Sequence, residues 1–405
     1  MVAPGQAEKK LFLHIGLGKT GTSALQSFFA QNHERLSSQG IWYPQTGREG
    51  LEAHHRIATA ARPGGGTGFD TTISWAAYIE QLRAELAQRT EPTVLLSSEV
   101  FSGRMTWRLL HDLKQLFSEI QVVAYLRRQD ILIASNYNQW VKTENLRLGL
   151  DDLRMLPFDF EAMLEPWKKL LAGHPGGVLV RPYERSRLWC GSIVDDFMYE
   201  VLGLEIDESY HRPLGHGGNL RLSLRALEYK RRVNTICPRE IAARFVEPLV
   251  EYSRHALEDQ PEAEAEILTP GQRREILAAF AQSNASVARR YLGRDDGELF
   301  SDLLVPTQDG QGQQPGVLDY RQARDISQYV AAWSLGGPDE RGDPLGPSER
   351  VRTLLREVAW PASVLAPFFP DRAVTLLIRR LAVALHGPFS PPTDEDVVGM
   401  RWAKP

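Results

Sequence analysis

The sequence predicts an α/β fold: a P-loop-like parallel sheet flanked by helices, followed by a helical second half and a C-terminal extension. Three observations carry that prediction. Short β-rich runs alternate with longer helical patterns through the first half, as a parallel sheet with crossover helices requires. A glycine-rich loop joins the first of these runs to the first helix. Beyond about residue 193 the hydrophobic pattern keeps only the helical period.

The elements follow in order. Leu11–Ile15 is short and apolar and predicts the first strand. Ser23 to Leu36 predicts the next helix, with Leu25, Phe28, Phe29 and Leu36 near one face and Gly40 at its end. Ile41–Tyr43 predicts a short second strand, and Pro63-Gly64-Gly65-Gly66 marks a loop. Trp75, Tyr78, Ile79, Leu82 and Leu86 recur at helical spacing. Thr93–Ser97 and Gln121–Leu126 predict two more strands around a helix over Trp107–Phe117. Asp130 to about Lys142 predicts a helix capped by Asp130, and Val178–Arg181 predicts a last strand.

The helical half runs through Ile193–Leu202, Leu220–Val233, Ile241–Ala256, Gln272–Tyr291 and Tyr320–Trp333. Breaks rich in Pro, Gly and Gln at Val305–Gly316 and Gly336–Pro347 set off the tail. The expected organisation is therefore one domain over residues 1–304, with an α/β core over about 10–204 and a helical part over 205–304. The extension covers 305–405.

Composition narrows the function classes. A net charge of −4 on 405 residues gives no bulk attraction to nucleic acid or anionic lipid, so any anion site is local. Only two cysteines occur, Cys190 and Cys237, without metal-ligand spacing, and a reducing cytoplasm is expected. No apolar run reaches membrane-spanning length. In the tail, Ala373 to Leu385 is apolar and basic; such a helix either packs on its own domain, the expected outcome, or rests on a membrane surface.

The run from His14 through Gly16, Gly18, Lys19, Thr20, Gly21 and Thr22 to Ser23 follows the first strand and opens the first helix. A glycine-rich turn there aims backbone N–H groups at a phosphate, and the helix N-terminus adds partial positive charge. Lys19 supplies the full charge. The NTPase loop needs a first glycine where Leu13 stands, and no later strand ends in the Asp that holds magnesium in such enzymes. The strand Gln121–Leu126 instead runs into Arg127-Arg128, and Ser135 lies in the helix after it. Arg127 at a strand end can grip a phosphate through two N–H groups, and Ser135 can add a hydrogen bond. No metal is expected beside the loop, because no His, Cys, Asp or Glu set has ligand spacing there.

Gly18-Lys19-Thr20-Gly21-Thr22-Ser23, taken with Arg127 and Ser135, resembles the family of sulfotransferases that use 3′-phosphoadenylyl sulfate (PAPS). The resemblance covers roughly Leu11 to Leu204, with weaker echoes to Phe300. It implies that the loop holds the 5′-phosphosulfate and that Arg127 and Ser135 hold the 3′-phosphate. Gly18 stands where many members carry Pro or His, which alters loop stiffness and removes no ligand group. The family's late Arg-Lys-Gly segment has no clear counterpart, and Arg212, His216 and Asn219 are candidate substitutes.

The expected activity is sulfuryl transfer from PAPS to a hydroxyl of a carbohydrate or secondary metabolite, releasing PAP. Its alternatives are a P-loop kinase or NTPase and an inactive nucleotide-binding scaffold. Lys19 would steady the leaving group. For the base the candidates are His55, placed first, then His54 and Glu99. Tyr183-Glu184 is expected to order the crevice. The acceptor is a small molecule or carbohydrate, and nucleic acid is not an expected partner.

Overall fold

The computed structural model describes residues 9–48, 50–62, 73–103, 107–150, 158–212, 221–259, 267–301, 318–336, 349–366, 370–388 and 390. Its strands are β1 (Lys10–His14), β2 (Ile41–Trp42), β3 (Thr93–Ser97), β4 (Glu119–Leu126) and β5 (Gly176–Pro182). They form one parallel sheet in the order β2-β3-β1-β4-β5. The inner strands are apolar almost throughout because both faces of a parallel sheet are covered.

Helices follow the strands as crossovers: α1 (Thr22–Gln31), α2 (His33–Ser38), α3 (His55–Ala60), α4 (Trp75–Ala87), α5 (Trp107–Leu116), α6 (Gln129–Thr143) and α7 (Phe160–Leu171). After β5 comes α8 (Ile193–Asp196), continued by a π-turn over Phe197–Val201. One sheet face, with Leu11, Leu13, Leu96 and Val122, packs against α4, α5 and α7. The other, with Phe12, Leu95, Val123 and Tyr125, packs against Leu25, Phe28 and Phe29 of α1 and against Phe197. Alternate residues of each strand thus feed two separate cores.

Several expected elements change. The single helix over Ser23–Leu36 is broken at Asn32. Its Nδ2 donates to Phe28 O and to His211 O at 2.8 Å each, and its Oδ1 accepts the His211 N–H at 2.8 Å. Asp130 does not cap α6, which starts a residue earlier; its carboxylate instead forms a two-point contact with Arg128 at 2.8 and 2.9 Å. Helices α3 and α7 are additional to the expected elements. The glycine run at 63–66, the breaks at 305–316 and 337–347, His216 and Asn219 lie outside the described residues.

The chain divides into two units in a way the sequence did not suggest. The first comprises Met1–Leu132, Pro157–Gly217 and Leu277–Leu304; the second comprises Ile133–Leu156, Gly218–Ile276 and Val305–Pro405. The second unit contains α9 (Leu224–Ile236), α10 (Arg239–Ala243), α11 (Val246–Asp259) and three late helices. Between α11 and those late helices, α12 (Pro270–Leu292) straddles the division. The late helices are α13 (Tyr320–Gly336), α14 (Glu349–Leu365) and α15 (Pro370–His386). Helix α15 packs on α9, α13 and α14 and buries Ala373, Val374, Leu377, Ile378, Leu381 and Ala382. Its apolar face is thus used inside the unit. No described helix is long and apolar enough to cross a membrane.

Within that unit Lys230 on α9 is 1% exposed and hydrogen-bonds to Asn234 Oδ1. Burial pushes its ammonium down to about 7 from 10.5, with the Cys237 thiol opposing the shift. Between those values the unfolded chain holds a proton that the folded one lacks, so stability should rise with pH across this window. Lys230→Met should raise Tm at pH 7, equivalent to about 2 kcal/mol, once the lost Asn234 contact offsets part of the gain. The difference from wild type should shrink towards pH 10 in thermal melts.

Candidate functional site

All site residues discussed here belong to the first unit unless stated otherwise. The loop leaving β1 does not turn away from the sheet. Ile15 N–H donates to Val123 O at 3.0 Å, Tyr125 N–H to Gly16 O at 2.7 Å, and Leu17 N–H to Tyr125 O at 3.1 Å. Thr20 Oγ1 donates to Leu17 O at 2.5 Å and closes the turn. Lys19 has a left-handed backbone, φ +67°. Gly21, φ +79°, precedes α1, and an added Cβ there would lie 3.0 Å from Ile193 Cγ2 and 3.3 Å from the Tyr183 hydroxyl. Glycine fits both the positive φ and the close approach.

At Gly18 an added Cβ meets nothing within 4 Å, so space lies open over the loop. No side chain caps α1, and none of the described residues accepts from the N–H groups of Thr22 or Ser23. Those donors and the Lys19 ammonium make the cradle suited to an anion. Burial holds the Lys19 ammonium below its ordinary value; Glu99 opposes the shift and Arg127 adds to it.

Arg127 follows directly on β4, and its Nη1 donates to Lys19 O at 2.8 Å. Its guanidinium carbon stands 5.6 Å from the centre of the Tyr183 ring, a favourable cation–π geometry. Arg128, its neighbour, is committed to Asp130, so Arg127 is the one of the pair held against the loop. Beside the start of α1 opens a cavity of about 460 Å³, lined among others by Ala24, Tyr183, Arg185, Ser192, Ile193 and Arg212. Arg212 forms a two-point contact with Asp195 at 2.7 and 2.8 Å. Glu184 accepts from Ser301 N–H and Oγ, which orders the chain beside the crevice.

On the other side of the loop, β3 is followed by Ser98 and a 3₁₀ turn that opens at Glu99. The three base candidates separate sharply. His54 is fully buried: its Nδ1 accepts the Ser97 N–H at 3.1 Å and its Nε2 donates to Pro44 O at 3.1 Å. Burial lowers its imidazole to about 3, with Arg48 adding to the shift. It staples β3 to the segment after β2 and is withdrawn as a base, because neither nitrogen is open and the ring stays neutral. His55 Nδ1 lies 2.8 Å from Ser98 Oγ and 3.9 Å from Glu99 Oε2. Burial lowers its imidazole and the Glu99 carboxylate opposes this. The Glu99 side chain is 34% exposed against 15% for His55.

No family model matches the chain. An uncharacterized protein of Archaeoglobus fulgidus is 28% identical over 230 residues, which are 55% of this chain and 60% of the relative. The chain thus spans less than two thirds of the relative it matches. Among solved structures, a sulfotransferase from Alicyclobacillus acidocaldarius aligns with a TM-score of 0.30 and 15% identity, covering 59% of this chain and 94% of that one.

The first unit therefore brings Lys19, Thr20, Gly21, Thr22 and Arg127 together on one side, and His55 and Glu99 on the other. Ser135 lies on α6 in the segment assigned to the second unit, half-buried, and its hydroxyl has no partner among the described residues. Sequence reading missed Gln26, Ser98 and Arg185. Gln26 carried no signal, because a lone Gln in a helix reads as a solvated position. Among the described residues no cluster of three or more His, Cys, Asp or Glu is arranged to hold a metal ion.

His14 shares the behaviour of His54: it is fully buried, Nδ1 lies 2.8 Å from Ser97 Oγ, and burial lowers it to about 3. Between about 6.5 and 3 the unfolded chain takes up protons on both rings that the folded one refuses, so stability should fall as pH drops through this window. His54→Phe should have a lower Tm at pH 7, having lost two hydrogen bonds, yet lose less between pH 6.5 and 4. Calorimetric melts across that range measure both slopes.

Proposed function

We propose that the chain is a PAPS-dependent sulfotransferase that moves a sulfuryl group to a hydroxyl of a carbohydrate or secondary metabolite. One observation carries the reading: Arg127, at the end of β4, is bonded to the backbone of Lys19 inside the glycine-rich loop. Two cations are thereby fixed around one cradle, with the Glu99 carboxylate facing Lys19 from the turn after β3. Such a cradle suits a dianionic phosphosulfate anhydride, whose charge two cations can neutralise.

The residues present fit the donor. The N–H groups of Thr22 and Ser23 and the Lys19 ammonium would hold the phosphosulfate. Arg127, its guanidinium over the Tyr183 ring, would take the 3′-phosphate, and the adjoining cavity is large enough for a nucleoside. Arg212 in its wall is the described candidate for the work of the late Arg-Lys-Gly segment. When bound, the donor supplies an activated sulfur centre.

Glu99 is the base we favour over His55, since its carboxylate is the more exposed and its charge reaches Lys19. As the acceptor oxygen bonds to sulfur, its proton passes to Glu99. The bond from sulfur to the phosphate oxygen breaks, and Lys19 neutralises the charge gathering on that oxygen. Positioning and electrostatics carry the barrier reduction. His55 acts on the acceptor side through Glu99.

By calorimetry the wild type should bind PAP at least about tenfold more tightly than AMP, and Arg127→Ala should erase most of that preference. Equal affinity for the two nucleotides would defeat the reading, and magnesium-dependent ATP hydrolysis would move the chain to the NTPase class. Lys19→Ala should cut kcat by on the order of 10²-fold or more while Tm stays close to wild type. Glu99→Gln should be as damaging, and near-normal turnover in it would return the base role to His55.

A further inference from the structure

Gln26 is 4% exposed on α1, one helical turn beyond Thr22. Its Nε2 donates to Glu99 Oε2 at 3.0 Å and reaches Ser97 Oγ at 3.4 Å. The helix that opens at the anion cradle therefore also carries the donor that fixes the carboxylate opposite. A buried amide of this kind is costly unless paired, so its contact to Glu99 is a committed one.

We infer that Gln26 is a positioning residue for Glu99: it ties one carboxylate oxygen to α1 and leaves the other directed at the acceptor. The inference rests on the proposed function for its catalytic value, though not for the contact itself. Glu99 is faced from every side by groups that matter to its charge. His55 approaches from α3, Lys19 from the loop after β1, and Tyr43 from the segment after β2. Without the amide the carboxylate is free to rotate towards His55, 3.9 Å away.

The first test needs neither donor nor acceptor. The His55 ring is titrated by NMR in wild type and in Gln26→Leu. A higher midpoint in the variant is expected, because the released carboxylate turns to the imidazole; an unchanged midpoint would overturn the positioning role.

The second test is kinetic. Gln26→Leu should lower kcat about tenfold, with KM for PAPS and PAP affinity within about twofold of wild type. Ser97→Ala, which removes the longer contact and the bond to His14 but leaves the Gln26–Glu99 tie, should keep kcat within about threefold of wild type. A Gln26→Leu variant that loses PAP binding in step with turnover would show a merely structural residue. If the His55 midpoint moves while wild type shows no PAPS-dependent turnover, the functional reading falls and the tie between Gln26 and Glu99 stands.

Discussion

Residues 15–17 go on pairing with β4 after β1 has ended, and everything else in the site depends on that short zipper. Three backbone hydrogen bonds hold the glycine-rich loop flat against the neighbouring strand. The chain must then reverse within four residues to begin α1, which requires the left-handed backbone at Lys19 and Gly21. The same pairing sets the Lys19 carbonyl within reach of the first side chain beyond β4, Arg127. Loop and arginine are thus placed by one ladder.

That arrangement stores positive charge where water is scarce. Lys19 and Arg127 are both partly buried and each is pushed down by desolvation. Their mutual repulsion is tolerable because the Arg127 guanidinium has a carbonyl and the face of Tyr183, and Lys19 has the field of Glu99. An anion entering the cradle relieves this strain of charge, which gives the site a physical reason to prefer a phosphate or sulfate group. The carboxylate side is organised by hydrogen bonds instead, with Gln26, Ser98 and His55 packed around the end of β3.

The second unit follows different rules. Its helices bury polar groups in pairs, Lys230 with Asn234 one turn along α9 and Tyr229 with Ser327 across to α13, and the tail supplies much of its core. Tail residues that looked like an appendage are therefore part of a packed body. Composition breaks mark where a chain bends, but they do not tell which distant segment it returns to.

From the amino-acid sequence alone came the parallel sheet, its strand positions and the place of the glycine-rich loop between β1 and α1. Each of these rests on local pattern: apolar runs of strand length, glycines around Lys19, and Arg127 at a strand end. Among His54, His55 and Glu99 it placed His55 first without access to their environments, because burial and hydrogen-bond partners come from segments far apart in the chain. Only the fold closed both nitrogens of His54 against Ser97 and Pro44, while leaving Glu99 partly exposed. Gln26 was invisible for the same reason, since its partner lies 73 residues away on another element. Local pattern fixes which element forms; the long-range contacts that fix a side chain's charge and orientation exist only once the strands are side by side.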